Sequence, residues 1–334
     1  METTGPVYWI DHFVLNSADV PRWEAFNEAV LGATFHGPAP RGVFQKVGAG
    51  TIGAFRAEKP LPPSAGVARG LPRYGYFIDQ RDIDAHVRRL QAHGVAYDGP
   101  HRTTAEGEAG IALAWEDPDG NQFEFWAPDA LPAGAMAEAT PVGVGRISHA
   151  TFESRDLERT ADFFARYCDL KPVRSADIPA GTLVLPLAGG ARLIYKEVTA
   201  LGGRTTGMGL ADAHTALCVH DDSFFPNYRR LWAGVAEWGE DSTACGPGQS
   251  RETLPARTAR HGSKEGRQFY ALVNKGDDFF DWDTNQFHFI GGAPKNGSMA
   301  EYEAHIVGVY IAAWEREHGN LDGFGAMAVE GDPP

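Results

Sequence analysis

The chain has 334 residues, which favours two domains of ordinary size, and its hydrophobic fraction of 43% is enough for packed cores and too high for a disordered protein. Its formal net charge is −14 and it has no basic stretch, which argues against a nucleic acid or an anionic membrane as partner. No apolar run approaches the roughly 20 residues of a membrane span, so a small molecule is the expected partner.

The cysteines and the N-terminus predict a reducing compartment. Cys168, Cys218 and Cys245 are odd in number, scattered and not in CxxC spacing, so disulfides are not expected. Residues 1–6 lack the basic and apolar regions of a signal peptide. We therefore expect a cytoplasmic protein.

The first predicted unit is a strand at 9–15 followed by an amphipathic helix. Trp23 and Val30 lie on one side of that helix. Ser17 is the expected N-cap, and Gly32 is the expected stop. The unit then returns through further strands.

The second unit repeats this order. Its strand at 74–78 is followed by Ile83, Val87 and Leu90 at i, i+4 and i+7, and Gly94 follows the helix. Two histidines in or just beyond this helix, His86 and His93, are expected to be solvated, as is His101 in the segment that follows.

The third unit opens at 146–152 and the fourth at 213–219. Their helices carry apolar stripes, at Leu157, Ala161, Phe164 and Cys168 in the third unit and at Phe224, Tyr228, Leu231 and Val235 in the fourth. Residues 241–260 are expected to form a loop or lid. Residues 299–317 are expected to form a C-terminal helix.

The four opening strands recur at a nearly fixed period. Equivalent positions in them are His12, Tyr76, His149 and His214, which are spaced by 64, 73 and 65 residues. Self-similarity of this kind is typical of duplicated supersecondary units. The segment 129–144 accounts for the longer second interval, and we interpret it as an interdomain linker.

An acidic turn followed by a short strand also occurs twice, at 115–125 and at 280–289. Aligned on Asn-Gln-Phe, the two copies place Glu124 on His288, and both side chains can bind a metal. The aspartates of the turns, Asp117, Asp119, Asp281 and Asp283, are expected to cap backbone N–H groups.

A strand with a ligand-type histidine, a Ser/Asp-led helix and the later Asp-Pro-Asp-Gly-Asn-Gln-Phe-Glu-Phe strand resemble the vicinal oxygen chelate superfamily. That group includes glyoxalase I, bleomycin- and fosfomycin-resistance proteins and extradiol dioxygenases. The resemblance implies an α+β fold with four βαβββ modules that form two half-open mixed β-barrel domains, plus the C-terminal helix. The domains would span 1–128 and 145–292, with an extension at 293–334.

Four units in one chain resemble the two-domain extradiol dioxygenases, whose second domain holds Fe(II) or Mn(II) through two His and one Glu. Carried over by position, this implies His149, His214 and His288 as metal ligands and His261 as the acid/base residue. His288 stands where the family has Glu, so Zn(II) and Ni(II) are also candidates for the bound metal.

The units can also be paired differently. In the sequential pairing, unit one joins unit two and unit three joins unit four, and His12 and Glu124 are a vestigial site. In the other pairing, unit one joins unit four, which groups His12 with His214 and His288 and groups Glu124 with His149. A hydroquinone-cleaving branch of the superfamily resembles this second arrangement, and we give the sequential pairing more weight.

The expected function is ring cleavage of a catechol-like or hydroquinone-like aromatic by a metal-dependent dioxygenase. Two alternatives remain. One is a non-oxidative metalloenzyme of the glyoxalase kind, acting as an isomerase, lyase or hydrolase. The other is a metal-free protein that binds small molecules. For all three functions, the chain can act as a monomer or as a homo-oligomer.

Overall fold

A computed structural model describes residues 7–39, 42–57, 59–67, 69–104, 106–202, 204, 213–219, 279–280 and 286–290. The strands in this part of the chain are β1 (Val7–Ser17), β2 (Thr34–Ala39), β3 (Gly42–Val47), β4 (Gly50–Arg56), β5 (Arg73–Ile78), β6 (Tyr97–Thr103), β7 (Gly110–Glu116), β8 (Gln122–Pro128), β9 (Val144–Ser154), β10 (Thr182–Pro186), β11 (Arg192–Glu197), β12 (His214–Val219), β13 (Phe279–Phe280) and β14 (Gln286–Ile290).

The helices of the same residues are α1 (Val20–Leu31), α2 (Ile83–Ala92) and α3 (Leu157–Cys168). None of the helices described is long and apolar enough to cross a membrane. The predicted opening strands and the first three predicted helices are confirmed. The fourth helix, the loop at 241–260 and the C-terminal helix lie outside the described residues.

The N-cap of α1 differs from the prediction. Asp19 caps the helix by accepting a hydrogen bond from the Arg22 amide, whereas the Ser17 hydroxyl accepts from the Asp19 amide and donates to Asp119. Asp19 is the cap because α1 begins at Val20, the residue that follows it. The predicted stop is confirmed, since Gly32 adopts φ 65°, a left-handed conformation that glycine tolerates without strain.

The strands form two mixed seven-stranded sheets, and the described strands do not close into a barrel. The first sheet has the order β13-β14-β12-β1-β4-β3-β2, and the second has the order β10-β11-β9-β5-β8-β7-β6. Each sheet contains parallel and antiparallel neighbours. This is the α+β architecture that the resemblance implied.

The sheets show which units pair. β1 of unit one runs antiparallel to β12 of unit four, and β5 of unit two runs antiparallel to β9 of unit three. The sequential pairing, which we had favoured, is therefore wrong for these sheets. Each opening strand is largely buried and could accept either neighbour, so the local pattern does not distinguish the two pairings.

The segment 129–144 connects β8 to β9 within the second sheet instead of joining two separate sheets. Ala135 of this segment is buried against Phe77 and Trp126, and its carbonyl accepts a hydrogen bond from the Arg146 amide. The sheets thus do not follow the division at 1–128 and 145–292, and the domain boundaries themselves stay a prediction.

The hydrophobic core lies between the two sheets. Phe13 of the first sheet stacks on Tyr74 of the second, with ring centroids 4.0 Å apart and an interplanar angle of 14°. Trp23 of α1 and Trp115 of β7 are fully buried in the same cluster. Because aromatic side chains bury the largest areas, these contacts fix one sheet against the other.

Candidate functional site

Two histidines from distant parts of the chain meet on the first sheet. The Nε2 atoms of His12 and His214 are 3.3 Å apart, although the residues are separated by 202 positions. The antiparallel register pairs His12 with Ala216, two residues beyond His214. The pairing of β1 with β12 is therefore what creates this contact.

A buried carboxylate orients one of these rings. Asp11 Oδ2 lies 2.8 Å from Nδ1 of His12, and Asp11 is only 3% exposed. The register shift between Ile10 and His12 is a local irregularity in β1, at the point where these neighbouring side chains meet. The carboxylate favours the tautomer in which Nδ1–H donates to it, and in this tautomer Nε2 of His12, which faces His214, has a lone pair.

The spacing of the two nitrogens fits a shared metal ion. Metal–nitrogen bonds of about 2.0–2.1 Å at octahedral or tetrahedral angles place two ligand nitrogens roughly 2.9–3.4 Å apart. The His12–His214 separation of 3.3 Å lies in this range. The carboxylate on the far nitrogen of His12 is also the usual partner of a metal-bound imidazole.

The third predicted ligand, His288, lies on β14, of which the backbone is described. Its backbone pairs with Ala216, the same residue that pairs with His12. His12, Ala216 and His288 thus form one row across three adjacent strands. Among the residues that the structure describes, no group of three or more His, Cys, Asp or Glu side chains is positioned to hold a metal.

Aromatic side chains border the histidine pair. The Phe44 ring meets the His12 ring edge to face at 6.3 Å, and it contacts Phe55 in the same way at 6.0 Å. A β carbon on Gly53 would come within 2.7 Å of the Phe44 ring, so the glycine allows this ring to lie over the strand. The site therefore combines imidazole nitrogens with apolar ring surface.

The other predicted ligand positions meet on the second sheet. His149 Nε2 lies 3.6 Å from Glu124 Oε1, and Arg73 Nη1 lies 3.3 Å from Glu124 Oε2. Burial raises the pKa of Glu124 to about 7, with a further rise from the charge of Glu106, while Arg73 acts in the opposite direction. Burial lowers the pKa of His149 to about 3, so this imidazole is neutral.

The predicted set of His149, His214 and His288 is thus divided between the sheets. The structure brings His214 to His12 and His149 to Glu124, because the opening strands pair as units one with four and two with three. His261 lies outside the described residues, and its role stays a prediction.

Two residues of these groups were not predicted from the sequence. Asp11 directly precedes His12, and an acidic residue next to a candidate ligand was the available signal. Arg73 begins the second opening strand, and only the register shows that it reaches Glu124.

The acidic turn has a structural role in the copy that is described. Asp117 Oδ1 accepts hydrogen bonds from the amides of Asp119 and Asn121, which confirms the predicted capping. Asp119 in turn accepts from the Ser17 hydroxyl at 2.6 Å and from Arg22 at 3.1 Å. The motif joins unit two to the start of α1, and Asp281 and Asp283 lie outside the described residues.

Part of the chain matches a known protein family. Residues 9–125 match the family model of the Glyoxalase/Bleomycin resistance protein/Dioxygenase superfamily. The matched segment is about a third of the chain, and it is similar to this superfamily. A sequence comparison with curated proteins gave no match.

Solved structures show the same fold over nearly the whole chain. A "putative dioxygenase" from Bacillus subtilis superimposes with a TM-score of 0.56 at 16% identity, covering 99% of this chain and 98% of that chain. Glyoxalase I from Zea mays superimposes with a TM-score of 0.55 at 14% identity, covering 93% and 96%. These similarities establish the vicinal oxygen chelate fold, and at such identities they carry no more than the fold.

Proposed function

We propose that this chain is a metal-dependent dioxygenase that cleaves the ring of a small catechol-like or hydroquinone-like aromatic. Its metal is held by His12, His214 and His288. The observation that carries the proposal is the 3.3 Å approach of the His12 and His214 Nε2 atoms, with Asp11 on the far nitrogen of His12. The superfamily match and the full-length fold similarity support a metal-using enzyme.

The choice of His288 as a ligand is supported by the strand register, in which Ala216 pairs with His12 on one side and with His288 on the other. Three imidazoles and no carboxylate leave the metal one charge more positive than the usual two-His-one-carboxylate set. This donor set suits Fe(II), and it also suits Mn(II), Zn(II) or Ni(II). Fe(II) is proposed because the expected reaction consumes O₂.

When bound, the ion would supply a Lewis-acidic centre for adjacent substrate oxygens and for O₂. The residues of the chain perform the other tasks. Asp11 keeps His12 in the tautomer whose Nε2 is a ligand. Phe44 offers an apolar edge to the substrate ring. His261 is proposed to carry a proton to and from the substrate oxygen.

The glyoxalase-like alternative has its own support, because the fold similarity to glyoxalase I is nearly as high as that to the bacterial protein. A non-oxidative isomerase, lyase or hydrolase would use the same metal ligands to polarise a carbonyl. Oxygen dependence separates the two, since only the dioxygenase needs O₂ for turnover.

The test combines metal analysis with oxygen uptake. Protein purified without oxygen is assayed for bound metal, and O₂ consumption is then recorded with a panel of catechols and hydroquinones. We expect about one iron per chain in the wild type, and loss of both iron and O₂ uptake in His12→Ala and His214→Ala. His101→Ala, which removes an exposed histidine, is the matched control and retains both.

Three outcomes would contradict the proposal. Metal that is retained in His12→Ala and lost in His149→Ala would restore the sequential ligand set. Product formation under argon would favour the glyoxalase-like alternative. Ligand binding without any metal would favour a binding protein.

A further inference from the structure

The two sheets contain matching rows of residues. In the first sheet, Ala216 pairs with His12 on one side and with His288 on the other. In the second sheet, Gly75 pairs with His149 on one side and with Glu124 on the other. The row of the second sheet therefore repeats the candidate metal row of the first.

The equivalence extends one step along the central strand. His214 lies two residues before Ala216, and Arg73 lies two residues before Gly75. The register therefore makes Arg73 the counterpart of His214, and the predicted equivalence of Tyr76 with His214 is wrong. A guanidinium takes the position that an imidazole has in the first sheet. This is the one position of the three at which the second sheet lacks a metal-binding side chain.

The side chains of the second row face each other. One carboxylate oxygen of Glu124 lies 3.6 Å from Nε2 of His149, and the other lies 3.3 Å from Nη1 of Arg73. Arg73 is also held by a hydrogen bond of 2.9 Å from its Nη2 to the Val67 carbonyl. The guanidinium is therefore fixed beside the carboxylate and is not a loose surface group.

Gly75 is needed for this arrangement. A β carbon at this position would overlap the Cε1 atom of His149, so the imidazole lies directly over the glycine. The ring can therefore reach from β9 across β5 towards Glu124 on β8.

The remaining charged groups nearby are already paired. Arg192 Nη2 lies 3.2 Å from Glu108 Oε2, and Lys196 Nζ lies 3.1 Å from Glu106 Oε1. Arg73 is the cation in contact with the Glu124 carboxyl group, and Arg192 acts on it from farther away. A divalent ion placed between Glu124 and His149 would lie close to this fixed positive charge in a buried site, where like charges repel strongly.

We infer that the Arg73 guanidinium takes the place of a metal ion in the second sheet. With a histidine at position 73, His149 and Glu124 would complete a two-His-one-carboxylate site, and in the wild-type chain the arginine keeps this latent site free of metal. The wild-type chain then binds metal at the first sheet alone. Arg73→His removes the fixed cation and adds the missing ligand beside His149 and Glu124. The comparison between the sheets rests on the proposed function, but the barrier at Arg73 does not.

The test is performed in the His12→Ala chain, so that the site in the first sheet does not bind metal. Co²⁺ is titrated and followed by calorimetry and by its visible absorption, which reports coordination geometry. We expect His12→Ala/Arg73→His to bind about one Co²⁺ at least tenfold more tightly than His12→Ala/Arg73→Gln. The glutamine variant removes the charge without adding an imidazole, and a further Glu124→Gln should abolish the new binding.

Two results would overturn the inference. One is a folded Arg73→His chain that binds Co²⁺ no better than Arg73→Gln, with folding checked by thermal unfolding. The other, which needs no Arg73 variant, is a His12→Ala chain that binds a metal and loses it on Glu124→Gln. If wild type binds no metal while Arg73→His gains one ion, the proposed function fails and this inference stands.

Discussion

At the scale of single residues, the main finding is that a carboxylate accompanies a candidate ligand. Asp11 is buried and contacts the His12 nitrogen that faces away from His214. A carboxylate in this position fixes the imidazole tautomer and raises the basicity of the ligand nitrogen. Asp11 is thus a positioning residue that acts through His12.

Asp11→Ala is expected to weaken metal binding by about 10–100-fold, because His12 loses the partner that fixes its tautomer. The measurement is a competition titration against a chelator of known affinity. Asp11→Asn, which keeps an acceptor oxygen, should lose less affinity than Asp11→Ala. Equal affinity in all three proteins would show that Asp11 has no part in the metal site.

A second finding concerns His86, which we expected to be solvated. The side chain is fully buried, and its ring lies 4.5 Å from that of Phe125. Burial lowers the pKa of His86 to about 4, and the charge of Arg89 contributes. The expectation was wrong because α2 packs this position against the second sheet.

Because His86 is buried, we expect the folded chain to lose stability in acid. Between pH 6.5 and about 4 the unfolded chain binds a proton at this residue more readily than the folded chain, so stability falls as the pH falls. The loss from this residue amounts to about 2 kcal/mol at pH 5. Urea unfolding of wild type and His86→Leu at pH 7 and pH 5 should show the smaller decrease in the variant. The same decrease in both proteins would rule out this role.

At the scale of elements, the acidic turn between β7 and β8 positions α1. Asp119 binds the Ser17 hydroxyl and Arg22, and Asp117 accepts a hydrogen bond of 3.0 Å from the buried Trp23 indole. The turn that looked like a strand connection is therefore also the contact that holds α1 of unit one against unit two.

Asp119→Ala should lower the free energy of unfolding by about 2 kcal/mol, because the Ser17 hydroxyl and the Arg22 guanidinium lose a buried acceptor. Thermal or urea unfolding measures the change. Asp98→Ala, which removes an exposed carboxylate paired with His101, is the matched control and should change stability by less than about 0.5 kcal/mol. A similar small loss of stability in both variants would contradict the role of Asp119 in holding α1.

At the scale of the whole molecule, unit pairing decides which residues form a site. The pairing of β1 with β12 joins residues about 200 positions apart, and it creates the contact between His12 and His214. The same topology places β5 beside β9 and creates the group of Glu124, His149 and Arg73. One choice of strand partner thus determines both rows.

Residues 1–128 expressed alone should neither unfold cooperatively nor bind metal tightly. In this fragment β1 lacks β12 and β5 lacks β9, so two buried strands become unpaired edges. Circular dichroism in urea and a metal titration test the expectation against the full chain. Cooperative unfolding with metal binding by the fragment would mean that the first two units pair with each other.

Much of the fold could be predicted from the sequence. The opening strands, the apolar stripe of α2 and the stop at Gly32 are local patterns, and the structure confirms them. The candidate ligand positions were also recognised, because His12, His149 and His214 all lie on opening strands of the repeat.

The sequence by itself determined the units, their strands and helices, and the residue types available for a metal, because these depend on neighbours within a few turns of chain. Only the tertiary structure decided that His12 meets His214, that Glu124 meets His149 and that Arg73 lies where a ligand would be. The physical reason is that four similar buried strands offer equivalent partners locally. The choice among them depends on packing between residues that are far apart in the chain.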